Sequence, residues 1–352
     1  MKYFHKTALI FCSIFFACCG KDAPEPDPKP QTPDASGYAL GADVSWLTEM
    51  EKAGRKFYDA SGKETECMEL LRSLGLNSIR LRVWVNPSDG WCNKEDVLVK
   101  AFRAKNLGFR IMIDFHYSDV WADPSHQTTP AAWQNMNLEE LKQAVALHTK
   151  ETLNLLKTNG ISPEWVQAGN ETGNGMLWET GKASVNMANY TALNNAGYDA
   201  VKSVFPDAKV IVHLHNGQDN SLYRWLFDGL KKNGGKWDVI GMSLYPEGES
   251  DWQQKNNSCI ANIKDMISRY GSEVMICEVG MPWDKPAAAK AFLADLIAQM
   301  QNIPDDKCSG IFYWEPESYN GWKGYTLGAF DNSGKPTEAL DAFTDASLRI
   351  SQ

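Results

Sequence analysis

Two glutamates give the first chemical signal. Glu171 closes the run Trp165-Val-Gln-Ala-Gly-Asn-Glu171, and Glu278 stands in Cys277-Glu-Val-Gly-Met-Pro-Trp283. Each is the sole acid at the end of a mostly apolar segment, where a lone charge is expensive unless it has a task or a partner. A pair of such groups can cleave a glycosidic bond: one carboxylic acid protonates the leaving oxygen while one carboxylate attacks the anomeric carbon. A separation of ~5–5.5 Å between them selects retention of configuration. The competing reading is that each glutamate forms a structural ion pair with an arginine.

The residues at similar segment ends are those a sugar requires. They include Arg80, Arg82 and Trp84 before Asn86-Pro87, then Asp114, His116, Tyr117, Asp119, Trp121 and Asp123, then Asn170, His213, Tyr245, Trp283 and Trp314. Pyranose rings offer flat C–H faces to indoles and hydroxyls to Asn, His, Asp and Arg. Of the 13 Trp, Trp46, Trp84, Trp121, Trp283, Trp314 and Trp322 lie at or just past such ends. Trp165 begins its segment at the wrong end and Trp225 lies in a helical pattern, so both read as packing. His148 reads as a partly buried helix residue, while His126 and Trp133 read as stabilisers of a long loop. Arg80 can also be an interior charge paired with an acid.

The elements that must position these groups alternate. Strand-like runs occur at Tyr38–Leu47, Ser78–Val85, Arg110–Tyr117, Glu164–Glu171, Lys209–Asn216, Asp238–Pro246, Glu273–Gly280 and Cys308–Glu317. Helical patterns fall between them at Glu64–Leu74, Lys94–Asn106, Leu138–Thr158, Ser184–Val204, Ser221–Lys232, Ile260–Arg269 and Ala287–Met300, with a last one near Thr337–Ala346. In the third, Leu138, Leu141, Val145, Thr149, Thr152, Leu153 and Leu156 recur at three and four, as a one-sided stripe requires. Strict alternation implies a parallel sheet, and eight units suit a closed (β/α)₈ TIM barrel forming a single catalytic domain, residues 37–352. A doubly wound open sheet is the rival, but Gly41-Ala-Asp-Val44 is no Gly-rich phosphate loop. In a barrel, chemistry belongs at the C-terminal strand ends, where the residues above fall.

Composition restricts the partners. With 35 Lys+Arg against 44 Asp+Glu the chain carries −9, which argues against nucleic acid. Lys2 and Lys6 precede an apolar run, Ala8 to Ala17, which is short for a membrane span and has a secretory layout. Phe16-Ala-Cys18-Cys19-Gly20 resembles a bacterial lipoprotein cleavage box, with residues 1–18 as signal and Cys18 or Cys19 as lipid carrier. Residues 19–36, with Pro24, Pro26, Pro28, Pro30 and Pro33 among acidic residues, read as an extended tether. An ordinary cleaved signal is the alternative. The reading is an exported lipoprotein of the outer membrane, at the cell surface or facing the periplasm, monomeric and touching the membrane only through its lipid. Five cysteines remain beyond the signal, and Cys67–Cys92 and Cys259–Cys308 are conceivable bridges, with Cys277 a buried thiol. No Cys/His cluster has zinc spacing, and neither metal nor cofactor is expected.

Asn170-Glu171 with Glu278 resembles the clan of retaining (β/α)₈ glycosidases. More narrowly, Gly41-Ala-Asp-Val-Ser45, Arg80-Leu-Arg-Val-Trp-Val-Asn-Pro87, Asp114-Phe-His-Tyr-Ser-Asp-Val-Trp-Ala-Asp-Pro124, Trp165-to-Glu171, His213-Leu-His-Asn-Gly217 and Trp314-Glu-Pro316 resemble the family 53 endo-β-1,4-galactanases, also called arabinogalactan endo-β-1,4-galactosidases. The resemblance implies hydrolysis of galactan or arabinogalactan, with Glu171 as acid/base, Glu278 as nucleophile and Asn170 on the 2-hydroxyl of the cleaved sugar. It further implies that Arg82, His116 and Tyr245 hold the carboxylates and the sugar. The chain departs from the family at Ser243-Leu-Tyr245, where paired tyrosines are usual, and at His215, where Asp is common. Trp283-Asp-Lys-Pro286 runs almost directly into a helix, so the calcium-binding loop of some bacterial members is not expected. A mannanase or cellulase of the same clan, or a non-catalytic glycan-binding lipoprotein, are the rival functions.

Overall fold

A computed structural model describes residues 37–350; the signal, both candidate lipid-bearing cysteines and the tether lie outside the described residues. Eight parallel strands close into a barrel in sequence order: β1 Ala39–Asp43, β2 Ser78–Val83, β3 Arg110–Phe115, β4 Trp165–Ala168, β5 Lys209–Leu214, β6 Val239–Leu244, β7 Glu273–Val279 and β8 Cys308–Trp314. β1 pairs with both β2 and β8, so the sheet has no free edge and the open doubly wound alternative is ruled out. Around it run α1 Leu47–Lys52, α2 Cys67–Ser73, α3 Lys94–Asn106, α4 Leu138–Thr158, α5 Met187–Val204, α6 Asn220–Lys232, α7 Trp252–Tyr270, α8 Pro286–Gln301 and α9 Asp341–Ile350.

The boundaries differ from the sequence reading in explicable ways. The strands stop one to four residues early because the polar strand ends leave the ladder to form the mouth. α7 starts at Trp252 rather than Ile260: its first turns, Trp252-Gln-Gln-Lys-Asn-Asn, lack an apolar stripe. The short helix α1 has no separate signal in the sequence. α2 begins only at Cys67 because Glu66 caps it, its carboxylate accepting from Glu69 N–H at 2.7 Å. α4 carries a full capping box, Asn137 with Glu140, which sets its start at the end of the long β3–α4 loop.

The barrel interior is layered. Ala39, Met112, Trp165, Ile211, Val239, Met275, Cys277 and Phe312 form an apolar plug. Two residues further along several of the same strands the interior turns polar: Asp114 follows Met112, Gln167 follows Trp165 and His213 follows Ile211. The period of two along a strand thus stacks a charged floor on a dry base. β7 breaks that period. Its pairing with β6 slips between Met242 and Ser243, so that Met242 faces Ile276 while Ser243 faces Glu278. Cys277 is the extra residue, and the bulge turns Glu278 to the interior beside it.

All five described cysteines are free and buried, so neither Cys67–Cys92 nor Cys259–Cys308 is bridged. Cys92 instead packs against the Arg82 guanidinium, with Sγ 3.5 Å from Nη2. Trp165 is buried in the plug with the Arg110 guanidinium over its ring, as packing requires. Trp225 is not a packing residue; it is exposed on α6. Trp133 packs edge-on against the buried His148 and so supports the β3–α4 loop, whereas His126 is solvent-exposed and bonded to Asp123.

Candidate active site

Residues from six strand ends line one cleft of about 530 Å³ at the C-terminal mouth. They include His116, Trp121, Asp123, Asn170, Glu171, His215, Asn216, Ser243, Tyr245, Glu278, Trp314 and Tyr325. The backbone adopts the left-handed region at four of these ends: Tyr117, Glu171, Asn216 and Glu315 have φ of 50°, 46°, 51° and 46°. Such conformations cost of order 1–2 kcal/mol each and persist where the surroundings enforce them. Here each one sits at or immediately after a cleft residue.

The floor of the cleft is organised by Arg80, which is fully buried. Its Nη1 donates to Asp43 Oδ2 at 2.7 Å, its Nε to Gln167 Oε1 at 2.7 Å, and its Nη2 to Asp114 Oδ2 at 2.9 Å and Asn170 Oδ1 at 3.0 Å. The same Nη2 lies 2.9 Å from Glu278 Oε1. Burial opposes ionisation of Asp114, yet Arg80 and His116 hold its carboxyl down at about 2. His116 Nε2 donates to Asp114 Oδ2 at 3.0 Å while its Nδ1 accepts from Ala122 N–H, which fixes the tautomer.

The two glutamates share the cleft and differ in their partners. Glu278 is 6% exposed and accepts from the Tyr245 hydroxyl at Oε2, 2.9 Å, in addition to its pair with Arg80. Glu171 Oε1 accepts from Ser243 Oγ at 2.7 Å. Ser243 is in turn bonded to His213 Nε2 at 2.9 Å, and His213 Nδ1 accepts from Gln167 Nε2 at 2.9 Å. Burial raises the pKa of both carboxyls, Glu171 to about 8, with the Glu278 charge adding to the rise, and Glu278 to about 7 against the pull of Arg80. With a cation on Glu278 and only a hydroxyl on Glu171, the proton resides on Glu171 and the charge on Glu278.

Aromatic residues form the wall. Trp46, Trp84, Trp121 and Trp314 pack edge to face, with ring centroids 5.2–5.7 Å apart in the pairs that touch. Tyr325 stands against Trp314 at 4.7 Å. Arg82 lies behind this cluster with its guanidinium 4.2 Å from the Trp121 ring and 5.0 Å from the Trp84 ring. Its Nη1 donates to Glu315 Oε1 at 3.0 Å, and Glu315 Oε2 accepts from Trp46 N–H at 3.1 Å. The neighbouring Glu317 is buried, and its pKa is driven well above the ordinary range by that burial and then by Glu315, so it stays neutral beside the Glu315 charge.

Several expectations are therefore corrected. Arg82 does not hold the catalytic carboxylates; Arg80, one step deeper, contacts Glu278, and Arg82 braces the indole wall. Asp114 and His213 are fully buried beneath the cleft and orient His116, Gln167 and Ser243 rather than meeting solvent. Trp84 is buried behind Trp121, with Nε1 on His116 Nδ1. Trp283 is half-buried and outside the cleft lining, as is Trp322. His116, Trp121, Asn170, Tyr245, Trp314 and both glutamates do converge on the cleft. Sequence reasoning gave no role to Gln167, Tyr325, Glu315 or Glu317; Gln167 lies in the quoted run Trp165-to-Glu171 and Glu315 in Trp314-Glu-Pro316, whereas Tyr325 and Glu317 lie in no quoted motif. Among the described residues no group of three or more His, Cys, Asp or Glu is placed to hold a metal ion.

The glycosyl hydrolase family 53 model matches residues 39–343, the whole barrel with its polar floor and both glutamates. The chain belongs to glycosyl hydrolase family 53. Among its relatives, an arabinogalactan endo-β-1,4-galactanase of Thermothelomyces thermophilus is 31% identical over 328 residues, covering 86% of this chain and 98% of the relative. A probable arabinogalactan endo-β-1,4-galactanase A of Neosartorya fischeri is 36% identical over 298 residues, 78% of this chain and 83% of its own length. A solved fungal β-1,4-galactanase structure superposes with a TM-score of 0.80 at 30% identity, covering 87% of this chain and 98% of that one. The family 53 catalytic domain from Ignisphaera aggregans gives a TM-score of 0.79 at 29% identity, covering 90% and 99%.

Proposed function

We propose that this family 53 chain is an endo-acting, retaining glycoside hydrolase that cuts internal β-1,4-galactosidic bonds of galactan and arabinogalactan. The observation that carries the mechanism is the asymmetry of the two carboxyls: Glu278 is paired with Arg80, while Glu171 bonds to the neutral Ser243. Glu278 attacks the anomeric carbon as Glu171 gives its proton to the departing glycosidic oxygen, so the C–O bond breaks as the glycosyl–Glu278 ester forms. Glu171, now ionised, takes a proton from water, whose oxygen displaces Glu278 and restores the β configuration. Asn170, held by Arg80 and by the Ala122 carbonyl, is set to meet the 2-hydroxyl of the cleaved sugar. Trp314 and Trp121 offer indole surface to the sugar faces.

The rest of the reading concerns where the enzyme works. The basic n-region, the apolar run and Ala17-Cys18-Cys19-Gly20 support export and lipidation at Cys18 or Cys19. Residues 19–36 then tether a monomeric barrel to the outer membrane. Release of reducing ends from β-1,4-galactan, with β-mannan and cellulose as controls, tests the activity. Release from mannan or cellulose alone would replace the substrate, and release from none would leave only glycan binding.

A further inference from the structure

His215 is a cleft residue whose chemistry the mechanism above does not use. It follows the last residue of β5, Leu214, lines the cleft beside Glu171 and is half-buried. Its backbone neighbour Asn216 is one of the four left-handed strand ends, with φ of 51°. The ring is pinned from behind by Gly173: a Cβ there would lie 2.4 Å from His215 Cε1 and 2.7 Å from Nδ1. The Nδ1–Cε1 edge is therefore wedged against a backbone that only glycine leaves open, and the Nε2–Cδ2 edge is the one turned away from it.

Nδ1 is buried and meets no hydrogen-bond partner among the described residues. Burial lowers the pKa of His215, so the ring is neutral and carries a single N–H. An orphaned buried N–H is rarer and harder to sustain than an unused lone pair. The proton therefore belongs on Nε2, a fixed donor on the free edge of the ring with no assigned acceptor.

Its place in the barrel says which part of the substrate supplies the acceptor. Glu171 must stand beside the oxygen it protonates, so the departing sugar lies on its flank. β5 is the strand next to β4 on the side away from β3, which carries His116 and Trp121. We infer that His215 is a specificity residue, donating from Nε2 to a hydroxyl of the sugar on the leaving-group side of the scissile bond. The inference rests on the galactanase reading and adds a contact on that side of the cleft.

The test compares kcat/KM on β-1,4-galactan with kcat/KM on an activated aryl β-1,4-galactobioside, which has no sugar on the leaving side. One neutral hydrogen bond corresponds to a roughly 3- to 10-fold effect. H215A is expected to lower the galactan-to-aryl ratio by that factor, with an unchanged thermal melt. H215Q, whose amide nitrogen can occupy the place of Nε2, should restore most of the ratio, and H215N should not. An unchanged ratio in H215A, an equal fall on both substrates, or rescue by Asn rather than Gln would each overturn the assignment. A wild-type protein that cleaves the galactobioside but not galactan would remove the endo-galactanase reading itself, and this assignment with it.

Discussion

The Arg80 guanidinium lies 2.9 Å from Glu278 Oε1, at the meeting point of three buried acids. One cation thus neutralises part of a −3 cluster of Asp43, Asp114 and Glu278. Burial is the main reason that Glu278 is raised although it sits on an arginine; Arg80 opposes the rise, and the charges of Asp114 and Asp43 add to it. The pairing looks like a structural ion bridge, yet the carboxylate remains at the cleft surface, where it can attack.

Replacement of Glu278 by Ala should reduce galactan turnover by on the order of 10³-fold or more without unfolding the barrel. Azide should then enter the vacated space and yield an α-galactosyl azide, with Glu171 still protonating the leaving group. For the wild type, NMR of early products should show the β anomer. An initial α product would rule out double displacement.

Glu171→Ala should act selectively. Galactan, with a poor sugar leaving group, needs the proton far more than an aryl glycoside whose phenolate leaves unaided. Loss on galactan should exceed loss in the glycosylation step on an activated aryl substrate by at least about 10²-fold. Equal losses would remove the acid role from Glu171.

The pH profile of kcat/KM should be a bell with both limbs above the ordinary carboxylate range. Activity rises as Glu278 ionises near 7 and falls as Glu171 loses its proton near 8. The Tyr245 hydroxyl favours ionised Glu278, so Y245F should move the acid limb to higher pH. Ser243 favours ionised Glu171, so S243A should move the alkaline limb to higher pH. A limb that moves downward in either variant would contradict the assignment.

Arg80→Met should cost stability as well as activity. Removing the cation that pairs with Asp43 and Asp114 leaves both carboxylates without an arginine partner, a loss of about 3–5 kcal/mol in urea unfolding. A change below about 1 kcal/mol would mean that water or protonation relieves the floor, and that Arg80 is not its organiser.

The linear chain determined the barrel and its mouth. Eight apolar runs alternating with one-sided helices leave few alternatives, and polar groups gathered at the strand ends mark the reactive rim, because both signals are local and periodic. Glu171 and Glu278 were legible as isolated acids on apolar runs. The tertiary structure alone decided how they face and what they touch. By the period of two, Met275 and Cys277 point inward and Glu278 points out; the slip of β7 against β6 reverses this, and a slip depends on both strands. The choice of Arg80 over Arg82 likewise follows from the stagger of strands around a closed barrel, which sets depth and is invisible in either strand's own sequence. The tryptophans divide for the same reason. Trp121 and Trp314 reach the cleft while Trp46 and Trp84 brace them from behind, because packing around Arg82, drawn from β1, β2, β3 and β8 together, determines which indole remains open.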